Sequence, residues 1–230
     1  MEGTPPPPRI RPATPADLPR LAEIYNHYII HTPITFDLEP LTVEERRPWF
    51  DQFAHHGRYR LLVAEDGSHV LGYACTHQFR TKAAYDTTVE TTIYCAPEAT
   101  GRGAGTALYA ALFDAIAGED IHLLVAGITL PNDASVALHE RFGFAESGVF
   151  HAVGRKFDRY WDVLWLERRA TTSWSDGRVA AAFEVEHTTS IYSGIVRLLD
   201  LALGAPDQPV AELFLVPPDD RENDVRAHPP

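Results

Sequence analysis

The chain has 230 residues, enough for one well-buried core or for a domain with an appendage, and 45% of them are hydrophobic, which argues against a disordered chain. Its formal net charge of −12 argues against nucleic acid or an anionic membrane as the main partner, and no apolar run approaches the ~18 residues of a membrane span. The two cysteines, Cys75 and Cys95, fit a reduced cytoplasm without a disulfide framework, and the opening MEGTPPPP lacks the basic and apolar regions of a signal peptide.

In chain order, residues 1–8 form a proline-rich, polyproline-like leader. Arg9 to Ala13 reads as a short strand. Thr14-Pro15-Ala16-Asp17 then opens a helix: Thr14 can cap it, Pro15 suits its first position and Asp17 complements its dipole. Leu18, Leu21, Tyr25, Tyr28 and Ile29 are its buried face, and Thr42 to Phe53 is a second helix. Arg60–Ala64 and Val70–Thr76 are strands joined through Asp66-Gly67, a hairpin signal. Asp86 to Cys95 is the next strand, followed by a glycine-rich turn and a helix over Thr106–Ala117. Ile121–Ile128 is an apolar strand covered on both faces. Pro131-Asn132-Asp133 starts a short helix that Gly143 ends, and the last two strands fall near Val149–Val153 and Phe157–Leu166.

The turn is the chemically informative segment. Gly101, Gly103 and Gly105 stand between a β-branched strand and a helix whose first N–H groups have no internal partner. With the helix dipole, this is a cradle for an anion that a Cβ would otherwise keep away. A P-loop requires Gly-Lys-Ser/Thr at its close, and Gly105-Thr106-Ala107 has no lysine. A dinucleotide fingerprint starting at Gly103 meets Leu108 where its third glycine belongs. Both nucleotide readings are poor.

The element order β-α-α-β-β-β-loop-α-β-α-β-β passes from a hairpin sheet into a parallel βαβ piece. At this point residues 9–169 resemble the GNAT acetyltransferase superfamily, and within it the phosphinothricin and methionine sulfoximine N-acetyltransferases. The resemblance is carried by Ile10-Arg11-Pro12-Ala13, Asn26-His27-Tyr28, Phe36, Ala84-Tyr85-Asp86, Glu90-Thr91-Thr92-Ile93-Tyr94, Leu130-Pro131-Asn132-Asp133, His139-Glu140 and Trp161-Asp162-Val163. It implies an α/β acyl-CoA N-acyltransferase fold with a mixed sheet, acetyl-CoA as co-substrate, a small-molecule amine as acceptor and a homodimer. The family turn reads Gln/Arg-x-x-Gly-x-Gly/Ala. Here Thr100 takes the first position, Gly103 and Gly105 keep the glycines, and Arg102 can supply a phosphate contact instead.

An ammonium cannot attack a thioester until it loses a proton, so acetyl transfer calls for a base. Strand alternation sets Glu90 with Thr92 and Tyr94, against Val89, Thr91 and Ile93 on the other face. A carboxylate in a central strand is costly unless paired or functional, and the alternative is an ion pair with Arg80 or Lys82. The resemblance assigns Glu90 as base, acting through a water, and gives His139 a part in proton transfer. By itself a helix histidine is as readily a packed or capping residue. Ile93, Tyr94, Arg102, Gly103, Ala104, Gly105, Thr106, Asn132 and Ser135 are the expected acetyl-CoA contacts, with Asn132 equally suited to cap its helix. Phe36, Arg80, Lys82 and Tyr85 are the expected acceptor contacts, two cations and two aromatics suited to a carboxylate or phosphinate. A solvated strand-end pair is the alternative. Cys95 alternates with apolar residues and reads as buried filler rather than a nucleophile. The eleven histidines show no metal-ligand spacing, so no metal is expected.

Residues 170–230 lie beyond the resemblance and carry about half of the net negative charge. Val179–His187 reads as a strand, Ile191–Leu203 as an amphipathic helix and Ala211–Val216 as a strand. FEVEHTTSIYSGIVRLLDL looks like a fragment of a restriction-nuclease-like domain, with Asp162, Glu184 and Glu186 imitating a catalytic trio that lacks its lysine. An accessory lobe fits better than an active nuclease. Two alternatives to small-molecule acetylation stay open: a non-catalytic acyl-CoA-binding or interaction module, and a peptide N-terminal acetyltransferase.

Overall fold

A computed structural model describes residues 7–67 and 69–170, together with strands at Trp174–Ser175, Arg178–Val179, Ala182–Val185 and Leu213–Val216. The chain divides into two units, Met1–Thr171 and Thr172–Pro230.

The first unit begins with β1 (Arg9–Pro12), which delivers Arg11 to two carboxylates. Its guanidinium grips Asp17 in a bidentate pair at 2.7 and 2.8 Å, and its Nε reaches Glu65 at 2.6 Å. Asp17 also accepts the Thr14 N–H at 2.7 Å, so the expected capping residues shape a 3-10 turn, Pro15–Asp17, that leads into α1 (Leu18–His31). On α1, Leu18, Leu21, Ile24 and Ile29 are at most 1% exposed, each worth about 1.5–3 kcal/mol of burial. Tyr28 is only half-buried, because its hydroxyl reaches out to the Cys95 carbonyl at 2.6 Å.

α2 (Val43–Phe50) starts on a reciprocal Thr42–Glu45 capping box. It ends three residues before the expected Phe53, where the chain tightens and the Phe53 N–H bonds the Phe50 carbonyl. β2 (Leu61–Asp66) and β3 (His69–Gln78) form the expected hairpin, with Gly67 at φ +62° supplying the turn. β4 (Thr88–Cys95) follows a short 3-10 turn, and α3 (Ala104–Ala115) starts two residues before the expected Thr106 because Gly103 caps it directly. β5 (Leu123–Thr129), α4 (Asp133–Arg141), β6 (Ala145–Lys156) and β7 (Arg159–Arg169) complete the unit.

The β6–β7 hairpin differs most from the expected elements. β6 runs to Lys156 and turns through Phe157 and Asp158, at φ +52° and +57°. That left-handed pair carries no Asn-Gly or Asp-Gly signal. A bulge between Phe150 and Gly154 places Ala152 at φ +51°, held by its N–H on Asp162 Oδ1 at 2.7 Å.

The seven strands form one sheet in the order β1-β2-β3-β4-β5-β7-β6. β4 and β5 are its one parallel pair among the described residues. One core cluster packs α1 and α3 (Leu21, Ile24, Leu108, Leu112) on Val63, Tyr73 and Ala74. A second gathers Val89, Leu124, Ile128, Phe144 and Leu164.

In the second unit the strands Trp174–Ser175 and Arg178–Val179 pair antiparallel, and Ala182–Val185 pairs parallel with Leu213–Val216. The expected helix Ile191–Leu203 lies outside the described residues, as do residues 1–6 of the leader. No helix among the described residues is long and apolar enough to cross a membrane.

Candidate active site

β4 and β5 pair only over Thr88–Glu90 with Leu123–Val125. Beyond that both continue, β4 to Cys95 and β5 to Thr129, without further backbone pairing, and a cavity of about 450 Å³ opens where they part. Such a parting exposes strand edges to a ligand without breaking the rest of the sheet.

Glu90 is the last β4 residue before the parting and lines the cavity. It is half-buried, opposite His77 on β3, and makes no ion pair within 4.0 Å among the described residues. The pairing with Arg80 or Lys82 that sequence allowed is therefore not made. Burial raises the Glu90 carboxyl above the usual carboxylate value, and nearby His77 and Arg80 oppose that rise. An unpaired carboxylate whose proton affinity has been lifted is suited to taking a proton.

His139 projects from α4 into the cavity wall and is 3% exposed. Its Nδ1 lies 2.7 Å from the Ser135 carbonyl, which fixes the proton on that nitrogen. Nε2 is thereby left to accept from the Tyr109 hydroxyl at 2.7 Å. Burial lowers its pKa, so the ring is neutral at neutral pH. His139 is thus a packed residue that also lines the cavity. Asn132 likewise does two things: its side chain caps α4 by accepting the Ser135 N–H at 3.2 Å, and it lines the cavity with Ser135.

Ile93 and Tyr94 also face the cavity from β4. The glycine turn follows. Gly101 and Gly103 are left-handed at φ +77° and +81°, and a Cβ on either would meet nothing within 4 Å. The first intrahelical bond of α3 runs from Ala107 N–H to the Gly103 carbonyl at 3.1 Å. The N–H groups of Ala104, Gly105 and Thr106 precede it and are free for an anion. The donor set therefore fits a pyrophosphate. Ala104 turns its side chain into the core and Gly105 packs near Ile93 and Leu138, so both offer backbone rather than side chain. Arg102 is exposed beside the turn and pairs with Asp66 at 3.2 Å. Cys95 is half-buried with its thiol pushed up to about 11, and it behaves as filler.

The four expected acceptor residues do not stay together. Phe36 and Arg80 line the cavity. Lys82 and Tyr85 are exposed on the 3-10 turn before β4 and are not part of the lining, Tyr85 packing edge-on against Phe79 instead. Sequence proximity to Arg80 suggested them, but the turn at Ala83–Tyr85 directs this segment away. Missed altogether were Tyr109, the hydrogen-bond partner of His139, and the wall formed by Gly127 and Trp165. A tyrosine hydroxyl among the alanines and leucines of α3 was a usable signal for Tyr109. Asp162, read in sequence as a possible nuclease carboxylate, holds the β6 bulge through Ala152 and His151.

Comparison with known proteins places the chain among acetyltransferases. Residues 21–144 match the acetyltransferase (GNAT) family, and residues 150–229 are similar to the type II restriction enzyme NmeDI C-terminal domain. The chain is 56% identical over 162 residues to a phosphinothricin N-acetyltransferase of Streptomyces coelicolor, covering 70% of this chain and 95% of that protein. It is 37% identical over 159 residues to an L-methionine sulfoximine/L-methionine sulfone acetyltransferase of Pseudomonas aeruginosa, covering 69% and 92%. A phosphinothricin acetyltransferase of Sinorhizobium meliloti, solved with acetyl-CoA, superposes with a TM-score of 0.68 at 31% identity, over 75% of this chain and 95% of that one. A ribosomal-protein-alanine N-acetyltransferase of Brucella melitensis gives 0.66 at 36%, over 70% and 99%. The chain belongs to the GNAT family, and it is an acetyl-CoA-dependent N-acetyltransferase.

Proposed function

We propose that the acceptor is the amine of a small, anionic amino-acid-like molecule of the phosphinothricin or methionine sulfoximine type. One observation carries this reading: Arg80 stands in the cavity wall with Glu90 and Phe36, a cation next to a base and an aromatic face. A guanidinium binds a carboxylate or phosphinate through two parallel hydrogen bonds. The acceptors named for the relatives are of this chemistry.

Acetyl-CoA, when bound, supplies the acetyl thioester. The N–H groups of Ala104, Gly105 and Thr106, with Gly103 and Arg102 alongside, would hold its pyrophosphate, and Ile93, Tyr94, Asn132 and Ser135 would line the way to the reacting end. Glu90 takes the ammonium proton of the acceptor through a water, and the free amine attacks the thioester carbonyl. The nitrogen, once bonded to the carbonyl carbon, gives up its surplus proton as the C–S bond breaks, and that proton goes to the departing sulfur; the neutral His139, coupled to Tyr109, assists this transfer.

Residues 9–169 are the catalytic domain in this reading, and residues 170–230 are an accessory lobe related to a restriction-nuclease domain, a view the second family match supports. Phe150, Val153, Phe157 and Tyr160 on the β6–β7 hairpin are 52–62% exposed, an apolar surface that supports a homodimer. The free cysteines and the use of acetyl-CoA favour the cytoplasm.

The test is CoA release, read with a thiol reagent, from acetyl-CoA and a panel of phosphinothricin, methionine sulfoximine, methionine sulfone, natural amino acids and an alanine-first peptide. Turnover of the phosphinate or sulfoximine supports the reading. Turnover of the peptide alone supports N-terminal acetylation, which the likeness to the ribosomal-protein-alanine enzyme favours.

A further inference from the structure

Lys156 is a lysine 4% exposed at the end of β6. Burying an ammonium is costly, and this one is not matched to a carboxylate within 4.0 Å among the described residues. Its Nζ instead donates to the backbone carbonyl of Thr35 at 2.7 Å, across 121 residues of sequence. Burial lowers its pKa, which Asp37 partly offsets.

The carbonyl it holds belongs to the segment between α1 and α2 that walls the cavity through Ile34, Thr35 and Phe36. Two residues back along β6, on the same face, lies Gly154. A Cβ there would fall 2.2 Å from Phe36 Cζ, so the ring tip occupies the space that only glycine leaves. A third tie lies on the far side of the segment. The Thr35 hydroxyl bonds Tyr25 at 2.7 Å, and the Tyr25 hydroxyl donates to Asp37 at 2.8 Å. On the hairpin side, the Trp161 indole N–H holds the Lys156 carbonyl at 2.9 Å.

We propose that Lys156 and Gly154 are positioning residues of the acceptor pocket: the β6–β7 hairpin latches the segment that carries Phe36 and sets the room left for the acceptor's side chain. This rests on the reading that the cavity end between Phe36 and Arg80 takes the acceptor. A lysine that served only to stabilise the fold would not act on one substrate more than the other.

The experiment uses the full chain with Lys156→Met, Lys156→Arg, Gly154→Ala, Phe36→Ala and the Gly154→Ala/Phe36→Ala pair. Lys156→Met is expected to raise the acceptor KM about tenfold while leaving the acetyl-CoA KM within about twofold, and Lys156→Arg to recover part of the loss. Gly154→Ala is expected to raise the acceptor KM too. Added to Phe36→Ala it changes little, because the atom it collides with is gone. Equal changes in both KM values, or additivity of the pair, overturn the proposal. A readout independent of any acceptor is the ¹⁹F resonance of 4-fluorophenylalanine placed at position 36. The latch predicts that Lys156→Met and Gly154→Ala each move or broaden it, and an unmoved line in both overturns the proposal. If no amine is turned over but the line moves, the latch holds and the acceptor reading fails.

Discussion

The glycine turn and the acceptor end of the cavity meet along β4 but are assembled in opposite ways. The turn is one contiguous stretch, Ile93 to Thr106, that offers backbone N–H groups and two left-handed glycines to an anion. The acceptor end draws Phe36, Arg80, Glu90, Gly127 and Trp165 from distant parts of the chain. A site made of backbone leaves its mark in adjacent residues. A site made of side chains from several strands depends on register, bulges and turns. The same contrast predicts where substitutions act: changes at the turn should alter acetyl-CoA binding, and changes at the far end should alter the acceptor.

The largest expected effect lies where the two ends join. Glu90→Gln should lower kcat about 10²–10⁴-fold while acetyl-CoA binding by calorimetry is unchanged. Because burial raises this carboxyl, the protonated, inactive form persists above the ordinary 4.5, and kcat/KM should climb with pH through a limb lying higher than that value. His139 is lowered and neutral there, so no further limb is expected near 6.5. A profile flat from pH 5 to 8 in which Glu90→Gln remains active removes Glu90 as the base.

Next in size, Arg80→Gln should raise the acceptor KM about tenfold or more, the loss of a charge-assisted hydrogen bond worth roughly 1.5–3 kcal/mol. Lys82→Ala, outside the cavity, should stay within about twofold. Equal losses for the two would mean that the turn at Ala83–Tyr85 folds onto the acceptor in the complex.

At the turn, Gly103→Ala forces a Cβ into a left-handed backbone at about 1–2 kcal/mol, so the acetyl-CoA KM should rise about 5–30-fold. The acceptor KM should not follow. Arg102→Ala is the smallest change. The side chains of the Arg102–Asp66 pair are 40% and 47% exposed, and removing the guanidinium should raise the acetyl-CoA KM at most about threefold. A tenfold rise would show the anion to be held by the side chain rather than by the helix N-terminus.

The sequence by itself determined the element order, the Asp66-Gly67 hairpin, the capping of α4, the glycine turn ahead of α3 and the strand position of Glu90. Each follows from local rules: periodicity of two or 3.6, capping side chains next to the N–H groups they serve, and glycines where the backbone turns left-handed. The cap made by Asn132 was legible because a cap acts within three residues. Only the tertiary structure decided that β4 and β5 part after Glu90, that Tyr109 meets His139, that Lys82 and Tyr85 stay outside, and that Gly154 and Lys156 reach across to Phe36 and Thr35. No spacing encodes these contacts, which arise from sheet register, an Asp162-held bulge and a hairpin turn without glycine. The reaction was therefore readable from a few adjacent residues, while the shape of the acceptor pocket required the packing of strands far apart in the chain.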